Sequence, residues 1–207
     1  FTWLVGSNIF VNNQANMGVF FGIAFWSLFF FIPALTMKMV AEENRLGTIE
    51  LLTTKDITDG QIIRGKFFAC LILILISLIC TLPYYITISQ LGNIDDGAVI
   101  GGYVGLLFLS GSYVAIGLFA SSITTNQIVA FLVALFIGIF FHLLFDVMGT
   151  STLGILGSFF NYLSMRVHFD SISRGVVDSR DLVYFGSIIT MGLYLAELML
   201  SKRNWQS

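Results

Sequence analysis

Long apolar runs constrain what this chain can fold into more than any other feature of its sequence. A helix needs about 20 mostly apolar residues to cross the hydrocarbon core of a bilayer. Five runs reach that scale, at residues 17–37, 67–88, 99–120, 128–145 and 182–200. The first two contain no charged residue, and the last contains one, Glu197. The sequence therefore predicts an all-α integral membrane protein, a polytopic helical bundle with five spans in this chain.

Composition argues against a soluble domain and against several kinds of site. Hydrophobic residues make up 57% of the 207 residues and charged residues 11%, whereas an ordinary soluble domain has about 25% charged residues. The chain has 10 Lys and Arg against 12 Asp and Glu, so it lacks the basic surface that nucleic acid requires. Cys70 and Cys80 would lie roughly 15 Å apart along one helix, which is beyond disulfide reach. No metal site is predicted.

The charges between the runs predict the orientation of the spans. Residues 38–66 contain five basic residues, whereas residues 89–98 contain two aspartates and no basic residue. Because basic loops stay in the cytoplasm, segment 38–66 is predicted inside and segment 146–181 outside. Lys202 and Arg203 in the tail agree with this orientation. Three arginines in segment 146–181 run against the rule, but three aspartates balance them.

Several residues predict where helices begin and end. Thr58–Gln61 and Thr124–Gln127 both have the spacing of a capping box, in which side chains at the two ends bond to each other's backbone N–H. Ser179 is predicted to cap the last span. Gly47 is predicted to end a helix that extends the first span into the cytoplasm.

One stretch comes close to a phosphate-binding motif. Residues Gly60–Lys66 read G-x-x-x-x-G-K and lack only the following Ser or Thr. A phosphate-binding loop follows a strand and opens a helix, whereas the capping box at Thr58 places both glycines inside a helix. We interpret Lys66 as part of a basic cytoplasmic border, and ATP binding by this chain is not expected.

Three ionisable residues lie near membrane depth. Asp146 and Glu197 fall at the ends of their spans, where both can reach water. His142 precedes Asp146 by one helical turn, which predicts a hydrogen-bonded pair at the interface. A proton relay is the alternative, since ionisable groups within spans are often functional.

Small residues recur at the four-residue spacing that lets helices approach closely in lipid. The pairs are Gly18 and Gly22, Gly101 and Gly105, and Gly111 and Ala115. Packing within the chain is the favoured interpretation, and a dimer interface is the alternative.

The predicted cytoplasmic segment carries a family pattern. Residues 41–53 read A-E-E-N-R-L-G-T-I-E-L-L-T, and Gly65-Lys66 follow at the start of the next span. This stretch resembles the first cytoplasmic loop of ABC-2-type transporter permeases, where E-E-x-R-x-G-T-x-E-x-L precedes G-K. Lys55-Asp56 stand where many members have Arg-Pro, so the turn at that point is expected to differ.

The resemblance implies that this segment couples the membrane bundle to an ATPase. The implied coupling residues are Glu42, Glu43, Arg45, Gly47, Thr48, Ile49, Glu50, Leu51 and Leu52. Their charged members would face the partner, and their apolar members would anchor a short coupling helix. A merely solvated loop is the alternative.

A second stretch, in the predicted outer loop, resembles one branch of the same family. Residues 168–181 are similar to the outer-loop signature of the gliding-motility-associated (Gld-type) permeases, and residues 118–130 resemble that branch as well. The signature residues are His168, Asp170, Ser171, Ser173, Arg174, Gly175, Asp178, Arg180 and Asp181.

The resemblance implies a six-span permease half that pairs with a second permease subunit, identical or different, on two ABC ATPase subunits. ATP and Mg²⁺ would bind to the ATPases, and no cofactor to this chain. It also implies a bacterial inner-membrane exporter, with an accessory motility protein as a possible partner, and short re-entrant helices within segment 146–181. Residues 1–207 would form one transmembrane domain.

The start of the chain and the transport role both leave alternatives open. The apolar stub Phe1–Val5 is interpreted as the end of a first span that is otherwise missing. The elbow helix that precedes this span in the family is missing too. A cleaved signal peptide is the alternative interpretation of the stub. A secondary transporter would show an internal repeat with broken helices, and none is evident in the sequence. A non-transporting anchor for motility or secretion machinery is the other alternative.

Overall fold

The computed structural model describes residues 17–48, 58–92, 94–176 and 178–204, and every regular element within them is helical. The described residues form ten α-helices: α1 (Gly18–Thr36), α2 (Ala41–Leu46), α3 (Asp59–Ile79), α4 (Leu82–Leu91), α5 (Asp96–Ile123), α6 (Gln127–Ile139), α7 (Phe145–Ser151), α8 (Ile155–Leu163), α9 (Met165–Ser173) and α10 (Ser179–Asn204). A π-helical turn, Phe140–Leu144, joins α6 to α7.

The predicted fold class is confirmed. Five stretches in the described part of the chain are long and apolar enough to cross a membrane: Gly18–Leu46, Asp59–Gln90, Asp96–Ile123, Gln127–Ser151 and Ser179–Lys202. Each of the five apolar runs in the sequence falls on one of these stretches. The protein is a polytopic helical membrane protein.

Three of the spans are interrupted. The first ends in a turn over residues 37–40 before α2 begins. The second is broken by a turn at residues 80–81 between α3 and α4, where Pro83 lies in the first turn of α4 and has no N–H to continue the α3 hydrogen bonds. The fourth contains the π-helical turn Phe140–Leu144. These stretches therefore contain turns or π-helical geometry within their apolar runs.

Of the three predicted N-terminal caps, only the one at Thr58 is correct. The capping box at Thr58 is confirmed, since the hydroxyl of Thr58 accepts the N–H of Gln61 and the Gln61 side chain accepts the N–H of Thr58. The second box is wrong, because Gln127 is already the first residue of α6 and the side chain of Asn126 accepts the N–H of Ile128 at 2.9 Å.

The predicted cap of the last span is also wrong by one residue. Ser179 is already helical, and its hydroxyl donates to the carboxylate of Asp178. That carboxylate accepts the N–H of Arg180 at 3.1 Å. Asp178 therefore supplies the acceptor for the first turn of α10.

Helix α5 lies at the centre of the bundle. Every residue from Leu109 to Ser122 except Phe119 is buried. Glycines line the helix where neighbours cross it: Gly102 and Gly117 meet α1, and Gly111 meets α10. A Cβ at Gly117 would fall on the Thr36 hydroxyl, so only glycine allows α1 and α5 to come this close.

The predicted small-residue pairs fall in two different settings. Gly101 and Gly105 pack against α9, where a Cβ would meet the carbonyl oxygen of Ile172 and the ring of Phe169, respectively. Gly18 and Gly22 lie on an exposed face of α1. The first pair therefore packs within the chain, as the favoured interpretation has it.

Candidate functional site

The candidate coupling site lies at the end of the bundle predicted to be cytoplasmic, where α2 follows α1. Helix α2 ends at Gly47, as predicted, in the left-handed conformation (φ 68°) that glycine adopts without strain. The N–H of Gly47 donates to the carbonyl oxygen of Glu43, and so does the hydroxyl of Thr48 at 3.5 Å. The predicted coupling residues Ile49–Leu52 lie outside the described residues.

The N-terminus of α2 is capped by a side chain from another helix. Val40 stands at the cap position and has no side-chain acceptor to offer. Instead the hydroxyl of Ser121, on α5, accepts the N–H groups of Val40 at 3.1 Å and Ala41 at 2.9 Å and donates to the carbonyl oxygen of Met37 at 3.1 Å. Ser121 is fully buried. One hydroxyl therefore satisfies three backbone groups around the turn between α1 and α2.

A second connection joins α2 to α3 through Lys66. The Nζ atom of Lys66 donates to the carbonyl oxygen of Met39 at 2.6 Å and to Oε1 of Glu43 at 2.5 Å. The two side chains are largely buried, with exposed fractions of 16% for Lys66 and 31% for Glu43. Glu43 therefore turns toward α3 and is paired within the chain.

The near-phosphate motif has a packing role at this end of the molecule. Both of its glycines lie inside α3, so no loop surrounds a phosphate there. A Cβ at Gly60 would lie 2.6 Å from a carboxylate oxygen of Glu197 on α10. Gly60 thus permits close approach of α10, and Lys66 binds α2.

The opposite face of α2 is open. Glu42 and Arg45 form an ion pair of 3.8 Å one helical turn apart, with side-chain exposed fractions of 37% and 59%. Leu46, at the end of the helix, is 62% exposed. A surface ion pair contributes little to folding stability. These three side chains are therefore available to a partner, and we call them the exposed face of α2.

At the predicted outer end, two signature residues form a buried pair. Nδ1 of His168 lies 2.6 Å from Oδ1 of Asp181, and Nε2 lies 2.9 Å from the carbonyl oxygen of Tyr162. Because a carbonyl oxygen only accepts, Nε2 carries a proton. The imidazole stacks on the ring of Tyr184, whose hydroxyl donates to the carbonyl oxygen of Leu163. This pair joins α8, α9 and α10.

The remaining signature residues shape the connection between α9 and α10. The carbonyl oxygen of Asp170 accepts bonds from the hydroxyl of Ser173 and from Nε of Arg174. Gly175 has a φ of 85° and lies against the backbone of Gly97 on α5. Further side chains of the signature, those of Ser171, Asp178 and Arg180, lie at or near the surface.

Arg166 lies between two carboxylates at the same end. Its guanidinium is 3.7 Å from Asp146 and 3.8 Å from Asp170. The Asp170 side chain is 58% exposed; its partial burial raises the pKa of the carboxyl group, Arg166 opposes that effect, and the charge of Asp146 adds to it.

The predicted pair between His142 and Asp146 is wrong. Nδ1 of His142 shares a hydrogen bond of 2.5 Å with the hydroxyl of Tyr113 on α5. The imidazole lies between the rings of Phe25 and Phe29, at centroid distances of 4.1 Å and 4.5 Å. The π-helical turn explains the difference, because its extra residue changes which side chains share a face.

The model of the family described as "ABC-2 family transporter protein" matches residues 8–199. The chain belongs to the ABC-2 transporter family. No curated protein sequence matches it.

Membership in the ABC-2 family supports an ABC transporter permease and implies an ABC ATPase as its partner. With five candidate spans, this ABC-2 protein is a multi-pass membrane protein. Helix α2 thus has one exposed face, and its other side is bonded to α3 and α5.

Sequence reasoning missed Ser121, Tyr113 and Leu46 as parts of these arrangements. Ser121 and Ser122 form a polar pair near the end of an apolar run, which was a usable signal for a buried hydrogen bond. It did not indicate the partner, which lies about 80 residues earlier in the chain. Leu46 carried a weaker signal, as an apolar residue next to the helix-ending Gly47.

Proposed function

We propose that this permease receives the movement of an ABC ATPase through the exposed face of α2. One observation carries the proposal: α2 is bonded to α5 through Ser121 and to α3 through Lys66, while its other face stays open. A helix held firmly on one side and exposed on the other is suited to pass force between two proteins. ATP and Mg²⁺ would be held by the ATPase.

The assembly we propose contains a second permease subunit, identical or different, and two ATPases, in a bacterial inner membrane. Residues 1–207 would form the single transmembrane domain of this permease. The resemblance of residues 168–181 and 118–130 to the gliding-motility branch supports an exporter linked to that process, with an accessory motility protein as a further partner.

Helix α8 fits a re-entrant role at the outer side of such an exporter. Leu153 and Ile155 are 94% and 90% exposed, and Phe159 is 57% exposed. Apolar side chains this open require lipid or protein cover. Insertion of α8 into the outer leaflet would supply that cover.

Charge reversal on the exposed face of α2 tests the proposed contact. Glu42→Lys and Arg45→Glu should each lower the amount of ATPase retained by the purified permease, because opposed like charges at a contact cost several kcal/mol. We expect a loss of about tenfold or more, which corresponds to about 1.4 kcal/mol. Glu43 is left unchanged, since its reversal would also break the internal pair with Lys66.

Gln90→Lys is the control, because Gln90 is exposed at the far end of α4 and the change adds one charge there. This variant should retain the ATPase as the wild type does. Equal retention by all the variants would remove the exposed face of α2 from the contact.

A further inference from the structure

We propose that Ser121 is the positioning residue that transmits movement of α2 to the predicted outer end of the molecule, with Lys66 as a second connection. This inference rests on the proposed function and adds the route by which force leaves α2. Ser121 and Lys66 bond α2 to α5 and α3, respectively.

The hydroxyl of Ser121 holds both sides of the turn between α1 and α2. It accepts from Val40 and Ala41, at the start of α2, and donates to Met37, which follows the end of α1. Because it is fully buried, water cannot replace these three bonds without opening the packing. A displacement of α2 therefore pulls directly on α5 at this point.

Helix α5 is suited to carry that displacement across the membrane. It packs against α1, α3, α6, α9 and α10 as well as α2. From Ser121 to Gly101 the helix covers about 30 Å at 1.5 Å per residue, close to the thickness of a bilayer core. At that far end Gly101 and Gly105 lie directly under α9.

The contacts between α5 and the α9–α10 connection are tightly packed. A Cβ on Gly101 would overlap the carbonyl oxygen of Ile172, and a Cβ on Gly175 would lie 2.9 Å from the backbone of Gly97. Close-packed contacts of this kind transmit small shifts. A shift of α5 therefore reaches the α9–α10 connection, which contains the signature residues.

Lys66 makes the parallel connection to α3. It bonds both the carbonyl oxygen of Met39, in the turn, and the carboxylate of Glu43, on α2. Since α3 also packs against α5 and α10, Lys66 and Ser121 lead to the same central packing. Transmission through both requires a physical network with two arrangements, which an experiment can reveal.

The neighbouring residue Ser122 supplies a matched control. Its hydroxyl is buried like that of Ser121, but it donates at 2.7 Å to the carbonyl oxygen of Phe119, within α5 itself. Replacing Ser122 by Ala removes a hydroxyl from the same turn and leaves α2 bonded.

The test uses the full chain purified together with its ATPase, with a cysteine probe on the outer connection. Val176→Cys places the probe at an exposed position beside Gly175, and Cys80→Ser removes the exposed native thiol. The rate of maleimide labelling is measured without nucleotide and with ATP plus vanadate. The ratio of the two rates reports how strongly the outer end responds to the ATPase.

We expect Ser121→Ala to retain the ATPase as the parent does, while its ratio of labelling rates moves most of the way to one and the connection through Lys66 keeps the remaining difference. Ser122→Ala should keep the parental ratio. Lys66→Met should bring the ratio of labelling rates closer to one, and Lys66→Arg should restore part of the parental difference. If Ser121→Ala does not fold, the two Lys66 variants test the transmission instead.

Three results would overturn the inference. A parental ratio in Ser121→Ala would show that force leaves α2 by another route, and the proposed function would stand. Loss of the ATPase from Ser121→Ala would show that the hydroxyl shapes the docking surface and not the transmission. A parent that retains no ATPase would overturn the proposed function itself.

Discussion

Replacing Lys66 by Ala should destabilise the folded protein, because it removes the bonds between α3 and the α2 region. Nucleotide binding by the purified permease should be undetectable both before and after the change. The change removes two bonds of Nζ and leaves the Glu43 carboxylate unpaired in a site where only 31% of that side chain is exposed. Breaking a fully buried ion pair costs about 3–5 kcal/mol, and breaking an exposed one about 0–1 kcal/mol. This pair lies between the two limits, and the lost bond to Met39 adds about 1 kcal/mol.

We therefore expect Lys66→Ala to lower the free energy of unfolding by about 2–3 kcal/mol. Denaturant titration in detergent micelles measures this quantity. A double-mutant cycle with Glu43→Ala isolates the pair, and the coupling energy should reach about 1 kcal/mol. Arg64→Ala is the control, because Arg64 is an exposed basic residue of the same helix and its loss should cost within about 0.5 kcal/mol.

Two results would refute this reasoning. A loss of stability in Lys66→Ala no larger than that in Arg64→Ala would mean that the pair with Glu43 contributes nothing. Saturable ATP binding by the isolated permease, abolished by the same substitution, would mean that Gly60–Lys66 binds phosphate despite its position inside α3.

Further predictions concern packing, orientation and pH. Gly117→Ala should destabilise the fold by about 1–3 kcal/mol, because the added methyl group falls on Thr36 and separates α1 from α5; an unchanged denaturation midpoint would contradict it. In intact cells Thr125→Cys should be shielded from an impermeant thiol reagent and Asp96→Cys labelled, and the reverse pattern would invert the orientation. Burial raises the pKa of Asp170, so the folded state holds its proton to higher pH than the unfolded state does. Stability should therefore fall as pH rises from the normal aspartate pKa through the raised one, and Asp170→Asn should flatten that slope in unfolding measurements; an equal slope in both proteins would show that Asp170 is not the source.

The helical membrane fold could be predicted because bilayer thickness leaves the sequence few alternatives. An apolar run of about 20 residues has to satisfy its backbone internally, and a helix does so within one segment. The capping box at Thr58 was predictable for a similar reason, since both partners lie within three residues of each other. Features that depend on local spacing could therefore be predicted from the sequence.

Features that depend on contacts between distant residues could not be predicted from the sequence. The pairing of His142 was predicted from regular α-helical spacing, which the π-helical turn Phe140–Leu144 breaks. The sequence carries no evident mark of that turn, because apart from His142 its residues are as apolar as those around them. Likewise the cap of α2 comes from Ser121, on a helix that folds against it from far along the chain.

The N-caps of the last two spans were predicted wrongly because two capping residues lie close together at each of these positions. Both predictions chose a Ser or Thr with suitable spacing, whereas Asn126 and Asp178 lie next to the first helical residue. The carbonyl or carboxylate oxygen of a short side chain reaches the N–H two residues on without distortion. When two capping residues compete within three positions, spacing alone does not decide between them.

The burial of α5 has a consequence for how the chain enters the membrane during synthesis. Its stretch is less apolar than the spans before and after it in the chain, because glycine and serine occupy the positions where neighbours cross. Such a helix gains less from lipid than the neighbouring spans do and more from contact with protein, so its residence in the bilayer depends on the helices that pack around it, including those synthesised after it. The nascent chain should therefore hold α5 beside the insertion machinery until α10, which provides one of its longest contacts, has been made.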